Sequence, residues 1–384
     1  MPFYHVPLSI VLSLLHLYVY KRLVRDIVPR GPWRRALFVV FVVGDVCMAG
    51  ALLLSTQIDP DISRWFAWPG WLWLAIFIYL GLTTLVLELP RLALRPWVKR
   101  DPGEDGKVSR RQFLARGSAA VVGVTAAVAV GIGVPTALSL PEIKRVRIAL
   151  PRLDPRAAGV RIALVSDIHL SALIGRGFTE DLVRMINAER VDLVAIAGDL
   201  VDGEVEHLAE AAEPLRNLRS THGTFFVTGN HEYFYRYGEW IDHVRTLDIR
   251  VLLNERTTIT HNGGEFELAG LIDPNSTVEG APDGPDVEKT LSGWDGDRAL
   301  VMLAHQPSSL EEVAARGVDL QLSGHTHGGQ FAPFTFLVKA IEGNIAGLSR
   351  VEDTQLYVTR GAGFWGPPIR VDAPPDISII ELTN

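Results

Sequence analysis

Cysteine is almost absent from this sequence, and its scarcity limits the chemistry open to the chain. The only cysteine, Cys47, lies within an apolar stretch, so the sequence offers neither a disulfide framework nor a cysteine metal site. Any bound metal must be held by His, Asp, Glu or Asn side chains. Basic residues are also scarce after residue 140, where 22 Lys and Arg stand against 36 Asp and Glu. This balance argues against nucleic acid as a partner, because a protein that binds nucleic acid needs a clustered basic surface.

Charged residues are rare in four apolar stretches of the first 140 residues. Because about 20 apolar residues cross a bilayer, residues 1–140 are predicted to form a transmembrane region with four helices, at about 3–20, 36–54, 68–87 and 119–140. Apart from Glu88 near the end of the third, only Asp45 is charged among them. An aspartate is costly in hydrocarbon, so Asp45 either has a polar function or faces a neighbouring helix.

The distribution of basic residues predicts how these helices are oriented. Residues 21–35 and 90–116 are rich in Lys and Arg, whereas the loop after the second helix is mostly acidic. Because basic loops stay in the cytoplasm, the pattern predicts a multi-pass protein of the cell membrane. Residues 141–384 then form an extracytoplasmic domain.

Arg110 and Arg111 stand directly before the fourth apolar stretch. With Phe113, Leu114 and the mild Ala/Gly/Val run that follows, they are similar to a twin-arginine export signal, here placed internally. The twin-arginine translocation machinery is therefore a predicted partner. The alternative is that the two arginines are simply the positive flank of a membrane helix. Residues 137–139 are similar to a small-residue cleavage site, although a retained anchor is the favoured interpretation.

From Lys144 onward, short β-rich runs alternate with amphipathic segments. Strands are predicted within 159–170, 191–202 and 223–232, separated by helices at 179–190, with Thr179 as its cap, and at about 205–219. Such alternation predicts neighbouring parallel strands, and ligands gather at the carboxyl ends of parallel strands. Two further strands are predicted within 298–307 and 318–327. All five strands end in possible ligands: Asp167 and His169, Asp199 and Asp202, Asn230 and His231, His305, and His325 and His327.

The stretch QLSGHTHGGQ, residues 321–330, places two histidines one residue apart among glycines. On an extended strand, His325 and His327 would point to the same face, because strand side chains alternate. The glycines would let the backbone turn sharply and approach a ligand closely. Taken alone, this stretch fits a metal site and an ordinary turn equally well.

The ordered set of motifs resembles that of the calcineurin-like metallophosphoesterases. The motifs are D-x-H (167–169), G-D-x-x-D (198–202), G-N-H-E (229–232), a histidine before Gln-Pro (305) and G-H-T-H (324–327). The resemblance covers about residues 144–384. The stretches GHTHGGQ and RGAGFWGPPIR are similar to the bacterial membrane-anchored or twin-arginine-exported branch, which includes envelope phosphodiesterases. The resemblance implies an α/β domain, a four-layer α/β/β/α sandwich, after the all-α four-helix transmembrane region.

The resemblance also implies a role for each site residue. Two divalent metal ions are expected, and ligands without thiolate suit Mn, Fe or Zn. The first ion would be held by Asp167, His169, Asp199 and His327, and the second by Asp199, Asn230, His305 and His325. The catalytic pair would be His231, as general acid, and Asp202, which would orient its ring. A metal-bridging hydroxide would attack the phosphorus.

The function expected from these features is that of a membrane-anchored binuclear-metal phosphohydrolase. A phosphodiesterase acting on an envelope or lipid-linked phosphate ester is favoured. A phosphomonoesterase or nucleotide hydrolase is the alternative within catalysis. A non-catalytic metal-binding membrane scaffold is less favoured, because no expected ligand is missing. A transporter is disfavoured, because the motifs lie outside the few membrane helices.

Several residues outside the motifs have more than one interpretation. His207, His222, His243 and His261 are predicted to be surface or core histidines. Asp273 either contacts substrate or forms a turn before Pro274. Aromatic residues of 233–240, with Phe364 and Trp365, would line a pocket for a nucleobase or lipid chain, rest at a bilayer surface, or pack over the edge of the core.

Overall fold

The computed structural model describes residues 5–99 and 108–384. The predicted start of the first membrane helix, at residues 3 and 4, and residues 100–107 of the predicted inner segment lie outside this description. The chain divides into two compact units, Met1–Pro135 with Gly366–Ile369, and Thr136–Trp365 with Arg370–Asn384. We call them the helical unit and the metal-centre unit.

Within the described residues, four helices are long and apolar enough to cross a membrane, at His5–Arg25, Pro32–Leu54, Pro60–Ala93 and Arg110–Leu138. The third begins earlier than the predicted residue 68, because Asp59 caps it by accepting from the Asp61 backbone N–H at 2.8 Å. The helices of this region are α1 (His5–Tyr20, continued by a π-helical turn at Lys21–Arg25), α2 (Pro32–Leu54), α3 (Pro60–Val86), α4 (Glu88–Ala93), α5 (Arg95–Lys99) and α6 (Arg110–Leu138).

Asp45 of α2 faces a neighbouring helix. Its carboxylate accepts a hydrogen bond from the Ser13 hydroxyl of α1 at 3.0 Å and lies 3.4 Å from Nδ1 of His16. The Trp73 indole of α3 donates to the other ring nitrogen of His16 at 2.8 Å. Asp45 therefore has polar partners inside the helical unit, which accounts for an acidic residue in an apolar helix.

Two six-stranded mixed sheets form the centre of the metal-centre unit. The strands are β1 (Glu142–Ala149), β2 (Arg161–Val165), β3 (Leu193–Ala197), β4 (Thr224–Val227), β5 (Ile249–Val251), β6 (Glu255–His261), β7 (Gly264–Gly270), β8 (Leu300–Leu303), β9 (Leu320–Ser323), β10 (Gly347–Val351), β11 (Thr354–Val358) and β12 (Asp376–Thr383). The first sheet has the strand order β1-β12-β2-β3-β4-β5 and the second β10-β11-β9-β8-β7-β6. Strands β2 to β5 run parallel to one another, as do β7, β8, β9 and β11.

Helices cover the outer faces of the two sheets. The helices of this unit are α7 (Arg176–Ala188), α8 (Val205–Ala212), α9 (Asn230–Phe234), α10 (Tyr237–Thr246), α11 (Asn275–Val278), α12 (Val287–Thr290), α13 (Leu310–Ala314) and α14 (Phe334–Glu342). One apolar core lies between the sheets and joins residues such as Leu164, Phe225 and Leu303. A second core packs the first sheet against α7, α8 and α10, and a third packs the second sheet against α12 and α13. The predicted α/β fold with helix, sheet, sheet and helix layers is confirmed.

Two local predictions differ from the structure. Helix α7 begins at Arg176 with Gly175 as its cap, so Thr179 is not the cap but lies fully buried inside the helix. The predicted helix at about 205–219 is α8 followed by a 3-10 turn at Glu213–Asn217, because Pro214 has no backbone N–H to continue an α-helix. Both segments still bury apolar residues against the first sheet, so the layer order is unaffected.

Candidate metal centre

The predicted site residues lie in loops that leave the carboxyl ends of five strands. Strands β2, β3 and β4 of the first sheet and β8 and β9 of the second are followed by these loops. Asn230 and His231 open the short helix α9 rather than ending a strand. The edges of two parallel arrays thus bring together side chains that are far apart in the sequence.

The backbone of the centre is unusual, and it corrects one expectation. The strand that precedes the GHTH motif ends at Ser323, so His325 and His327 are not on an extended strand. Both have positive φ angles, 71° and 51°, as do three other residues of the site, Asp167, His169 and Asp199. Left-handed backbone is uncommon for residues other than glycine and clusters at functional sites, where the surrounding structure holds it.

One group of possible ligands joins Asp167, His169 and His327. Their ligand atoms lie within 4.8 Å of one another, and all three residues are buried. Nε2 of His169 is 3.0 Å from Nε2 of His327, which in turn is 3.3 Å from a carboxylate oxygen of Asp167. Ring nitrogens and a carboxylate converging in this way offer lone pairs to one centre, which is what a cation needs.

A second group joins Asp199, His305 and His325. Nε2 of His305 lies 3.1 Å from the Asp199 carboxylate, and the Asn230 side-chain oxygen lies 3.2 Å from His305 Nε2. The same Asn230 oxygen is 3.0 Å from Nδ1 of His325. The histidines of the GHTH motif therefore belong to different groups.

The hydrogen bonding of His305 fits a metal ligand. Its Nδ1 donates to the Ala197 carbonyl at 2.7 Å, so Nε2 is the atom that faces the oxygens of Asp199 and Asn230. Burial lowers the pKa of His305, but the Asp199 charge outweighs burial and raises the pKa well above its usual value, so Nε2 carries a proton that a bound cation would replace. A ligating histidine commonly donates its other N–H to a carbonyl in this manner. Imidazole, carboxylate and amide oxygen without thiolate suit Mn, Fe or Zn.

Asp199 and His169 connect the two groups. A third set of possible ligands, His169, Asp199 and His231, overlaps both others. Asp199 is fully buried, and although burial alone would raise its pKa, the neighbouring His305 and His231 hold the pKa well below its usual range. A carboxylate that stays ionised offers two oxygens, so Asp199 is suited to contact two cations at once.

His231 lies beside this cluster and is held by Asp202. Its Nδ1–H donates to Asp202 Oδ1 at 2.6 Å, and its Nε2 is 3.9 Å from the Asp199 carboxylate. Burial would lower the pKa of His231, but the charges of Asp199 and Asp202 outweigh it and raise the pKa to about 9. A protonated imidazole held in one orientation can donate a proton to a substrate oxygen.

Asp202 has a second contact that the motif did not predict. The same Oδ1 atom accepts from His169 Nδ1 at 2.9 Å. One carboxylate thus orients both the predicted general acid and a predicted metal ligand. Burial would raise the pKa of Asp202, but the charges of His169 and His231 and their hydrogen bonds outweigh burial and lower the pKa below its usual range, so the carboxylate remains ionised.

Glu232 holds two loops of the centre together, a role that the G-N-H-E motif did not predict. Its carboxylate accepts from the backbone N–H groups of Asp199 at 3.1 Å, Leu200 at 2.7 Å and Gly229 at 2.5 Å. It thereby ties the loop after β3 to the loop after β4. A side chain at position 229 would collide with Asp199, so the glycine is required for this close approach.

Arg370 is a second residue that sequence reasoning missed. Its guanidinium is fully buried, and Nη2 lies 3.0 Å from Nδ1 of His327. The other donors reach the backbone carbonyls of His327, Arg360, Gly363 and Ala373. Burial, the nearby His169 and the Arg370 charge together lower the pKa of His327, which keeps its ring uncharged. The late Gly/Pro-rich segment therefore fixes the orientation of a candidate ligand.

Asp273 is buried close to the charges of the centre. Its Oδ1 accepts from the Asn275 backbone at 2.8 Å, the geometry of a turn, and from the Gln306 side chain at 3.0 Å. Its Oδ2 is buried and has no hydrogen-bond partner. Burial raises the pKa of Asp273 to about 6. The predicted turn therefore accounts for Oδ1, whereas Oδ2 can accept a further hydrogen bond.

The remaining histidines are distributed away from the two ligand groups. His222 and His261 pair with each other, with ring nitrogens 3.0 Å apart. The ring of His243 packs edge-on against the buried Trp240 at a centroid distance of 5.7 Å. His207 lies on α8, with its backbone N–H bonded to the Glu204 carbonyl in the first turn. None of the four belongs to a group of possible ligands within the described residues.

The aromatic residues divide into two sets. Tyr233, Tyr235, Trp240 and Phe364 are buried and belong to the packed interior. By contrast, Phe234 and Trp365 approach the predicted general acid, with ring centroids 5.2 and 6.1 Å from the His231 ring. Trp365 is 42% exposed, so it forms part of a wall open to solvent.

The two-sheet fold and the converging His and Asp side chains define an α/β domain with a candidate metal centre. A family model described as calcineurin-like phosphoesterase matches residues 160–329. An uncharacterized metallophosphoesterase of Campylobacter jejuni is 32% identical over 97% of this chain and 96% of its own length. A Danio rerio relative, named transmembrane protein with metallophosphoesterase domain, is 32% identical over 97% of this chain and 87% of its own. The chain belongs to the calcineurin-like phosphoesterase family.

Two further relatives match less of their own length. The uncharacterized metallophosphoesterases of two Helicobacter pylori strains are 39% and 38% identical, and the chain spans 65% of each. The predicted membership of the superfamily is confirmed. The four apolar helices, together with the name of the Danio rerio relative, indicate association with a membrane.

Proposed function

We propose that this protein is a membrane-anchored phosphodiesterase that uses two divalent metal ions to hydrolyse an envelope or lipid-linked phosphate ester. The observation that carries the proposal is the pair of ligand groups beside His231. One contains Asp167, His169 and His327, and the other Asp199, His305 and His325. Two such groups with a connecting carboxylate are what a pair of cations on one phosphoryl group requires.

The proposed ligands divide between the two ions. Asp167, His169, Asp199 and His327 would hold the first ion, and Asp199, Asn230, His305 and His325 the second. When bound, a divalent pair lowers the pKa of water to make a nucleophile at neutral pH and offsets charge on the phosphoryl oxygens. The ions would be Mn, Fe or Zn, since the ligand set contains imidazole.

His231 would act on the leaving group. Its Nδ1 is occupied by Asp202, so Nε2 is the atom available to donate a proton to the leaving alkoxide oxygen. Proton donation at that oxygen avoids the expulsion of a poor leaving group. Asp202 would keep the ring in this orientation and stabilise its charged form.

The surroundings of His231 fit an ester whose leaving group is organic and apolar, a feature that a diester and a monoester can share. The leaving group must lie beside the general acid, and Phe234 and Trp365 form an apolar wall there. An organic group on the leaving oxygen would bury part of its surface against these rings. Inorganic or small polar leaving groups would gain little from this wall. A phosphomonoesterase or nucleotide hydrolase is the competing outcome of the test below.

The membrane part of the proposal has its own support. Four apolar helices precede the metal-centre unit, and the segments at 21–35 and 90–116 carry the basic excess. We therefore place the metal centre outside the cytoplasm, with Arg110 and Arg111 as a signal for twin-arginine export. The net negative charge after residue 140 disfavours nucleic acid as substrate.

Hydrolysis of model esters tests the catalytic part. The full chain would be purified in detergent, stripped of metal and reloaded separately with Mn, Fe or Zn. We expect metal-dependent hydrolysis of bis-p-nitrophenyl phosphate that is faster than that of p-nitrophenyl phosphate. Faster monoester hydrolysis would overturn the diesterase assignment. Absence of turnover of either compound with metal bound would overturn the proposed hydrolase function.

A fusion experiment tests the orientation. A phosphatase reporter that is active only outside the cytoplasm would be joined after Asn384, and the same fusion would be made with Arg110 and Arg111 replaced by Lys. We expect activity in the first fusion and its loss in the second. Activity of both would contradict the twin-arginine route, and inactivity of the first would contradict the orientation.

A further inference from the structure

Helix α14 has its apolar residues on the outside of the metal-centre unit. The half-buried side chains of this helix are Thr335, Val338 and Glu342. Most of the exposed ones are apolar: Phe336 is 74% exposed, Leu337 52% and Ile341 70%. Surface helices of soluble domains normally have the opposite arrangement, with the apolar stripe turned inward.

The position of each side chain follows from helical geometry. At about 100° per residue, Thr335, Val338 and Glu342 fall on one face of α14, and Phe336, Leu337, Ala340 and Ile341 on the other. The inward face is fixed, because Thr335 packs on Gly329 of the glycine-rich loop. Rotation of the helix to bury its apolar face would break this contact. The outward apolar face, which we call the α14 face, is therefore built into the fold.

Exposed apolar side chains of this unit are concentrated in the part of the chain that contains this helix. From Glu142 to the end of the chain, eight large apolar side chains are exposed, and six of them lie between residues 334 and 351: Phe334, Phe336, Leu337, Ile341, Leu348 and Val351. By contrast, α7 of the same unit buries Leu182, Val183 and Ile186 and exposes charged residues. Four of the six lie on α14 itself, and an exposed apolar patch of this kind marks a surface that contacts something apolar.

We infer that the α14 face docks into the surface of the lipid bilayer. The chain carries four helices of membrane-spanning length and composition, and the last of them ends at Leu138, four residues before β1 begins at Glu142. Four residue steps span at most about 14 Å. If α6 crosses the bilayer, the metal-centre unit is held close to its surface. The inference thus depends on the membrane anchoring in the proposed function, but not on the catalysed reaction.

The composition and size of the α14 face fit lipid better than a second copy of the chain. Interfacial helices insert Phe and Leu side chains and carry basic residues at the flank, where exposed Lys339 lies. A nine-residue helix is about 13 Å long and 10 Å wide. One face of it is far smaller than the roughly 800 Å² that each partner buries in a stable protein interface.

The α14 face is also joined to the candidate site. Phe334 stacks on Phe331 with ring centroids 5.5 Å apart, and the next residue back, Gln330, exchanges two hydrogen bonds with the backbone of Trp365. Trp365 is the residue whose ring approaches His231. Docking of α14 would therefore bring the wall beside the general acid near the lipid headgroups, where a lipid-linked phosphate ester resides.

Fluorescent probes on the full chain test this inference. The single native cysteine would be removed by Cys47→Ser, and one new cysteine, Phe336→Cys, would carry an environment-sensitive fluorophore. Val278→Cys is the matched control, since Val278 is a 78% exposed apolar residue on another helix of the same unit. Each protein would be placed at one copy per nanodisc of phosphatidylcholine and phosphatidylglycerol. Quenching by nitroxide-labelled lipid and by aqueous iodide would be compared.

We expect the probe at position 336 to be quenched by nitroxide lipid and protected from iodide, and the probe at 278 to show the reverse. Equal iodide quenching at both positions would overturn the inference. Protection from iodide without lipid quenching would also overturn it. If protection from iodide without lipid quenching appears only with several copies per disc, it would indicate that the α14 face contacts a second copy of the chain. The same result in single-copy discs would indicate that the α14 face packs against another part of its own chain.

A charge substitution gives a second readout. With the probe moved to Leu337→Cys, the changes Phe336→Asp and Ile341→Asp should abolish lipid quenching, whereas Val278→Asp should leave it unchanged. Retained hydrolysis of bis-p-nitrophenyl phosphate in detergent would show that the variants are folded. Unchanged lipid quenching in the double-Asp protein would contradict docking by this face. Loss of hydrolysis in all proteins would instead count against the proposed catalytic function.

Discussion

Replacement of Asp202 by Asn should weaken metal binding and catalysis together. One carboxylate oxygen accepts from His231 Nδ1 at 2.6 Å and from His169 Nδ1 at 2.9 Å. The Asp202→Asn side chain has nearly the same shape but carries no charge. It therefore removes the electrostatic part of both hydrogen bonds while leaving the packing of the loop after β3 in place.

The two contacts predict the size of each effect. Loss of a carboxylate that orients a ligating histidine lowers metal affinity by about 10- to 100-fold, and His169 is such a ligand in this account. A general acid contributes roughly 10²- to 10⁴-fold to the rate, and His231 would lose part of that contribution without the charge of Asp202. Because Asn can still accept a hydrogen bond, we expect a fall in kcat near the lower limit, about 100-fold.

Comparison with His231→Ala separates the two effects. This change should lower kcat for bis-p-nitrophenyl phosphate by at least as much as Asp202→Asn, yet leave metal affinity close to that of the unmodified protein. In the double variant, the rate losses should be less than additive, because both changes remove the same proton donor. The loss in metal affinity should equal that of Asp202→Asn alone.

Metal affinity would be measured by competition with a chelating dye, and kcat at saturating metal. If Asp202→Asn binds both ions as tightly as the unmodified protein, the contact with His169 has no role in metal binding. If His231→Ala loses both metals, the assignment of His231 as general acid is wrong.

Three further changes test separate parts of the structure. Glu267→Gln should lower the free energy of unfolding by about 2 kcal/mol at pH 7, because a buried carboxylate bonded to Arg256 at 2.6 Å loses its charge. Burial raises the pKa of Glu267, but its Arg partners outweigh burial and hold the pKa below its usual range. The stability that the charged carboxylate provides is therefore present above the pKa of the unfolded chain and is lost as pH falls through the pKa of the folded protein. The unfolding curves of the two proteins should converge in acid. Gly229→Ala should abolish metal-dependent hydrolysis, since a Cβ would collide with Asp199, and an active, metal-loaded variant would show that the close approach is dispensable. Trp365→Ala should raise KM for bis-p-nitrophenyl phosphate and for p-nitrophenyl phosphate alike, because both release p-nitrophenol beside His231, and an unchanged KM for both would exclude a wall for the leaving group.

The sequence predicted which residues of the centre would meet, because parallel strands present their carboxyl ends at one edge. Asp167, Asp199 and His305 follow three such strands, and the structure brings them together with the other expected ligands. The apolar runs likewise predicted buried strands in both sheets. These features depend on periodicity and order along the chain, which a sequence displays directly.

The details of the centre were beyond what periodicity can predict. Positive φ angles at Asp167 and His325 arise from contacts across loops, and no local sequence pattern marks a non-glycine residue for that conformation. The sharing of Asp202 depends on where two distant histidines point. Arg370 lies 43 residues after the histidine that it contacts, so only the folded chain relates them.

Helix α14 shows a different limit of prediction from the sequence. Its apolar residues form an amphipathic pattern that burial in the core would also satisfy. In the structure Phe336 and Ile341 face outward, because the opposite face of the helix is held by the contact of Thr335 with Gly329. Which face of a short helix is buried depends on such a contact, and it changes the functional meaning of the same residues.

In the proposed mechanism, hydrolysis needs two metal ions that are divided between the two ligand groups. A stepwise metal titration of the metal-free full chain tests this requirement, with bound metal and hydrolysis of bis-p-nitrophenyl phosphate followed in the same samples. We expect two bound ions and activity that rises chiefly with the second. His325→Ala and His327→Ala should each weaken the binding of a different ion. Full activity with a single bound ion, or no activity with two, would contradict the account.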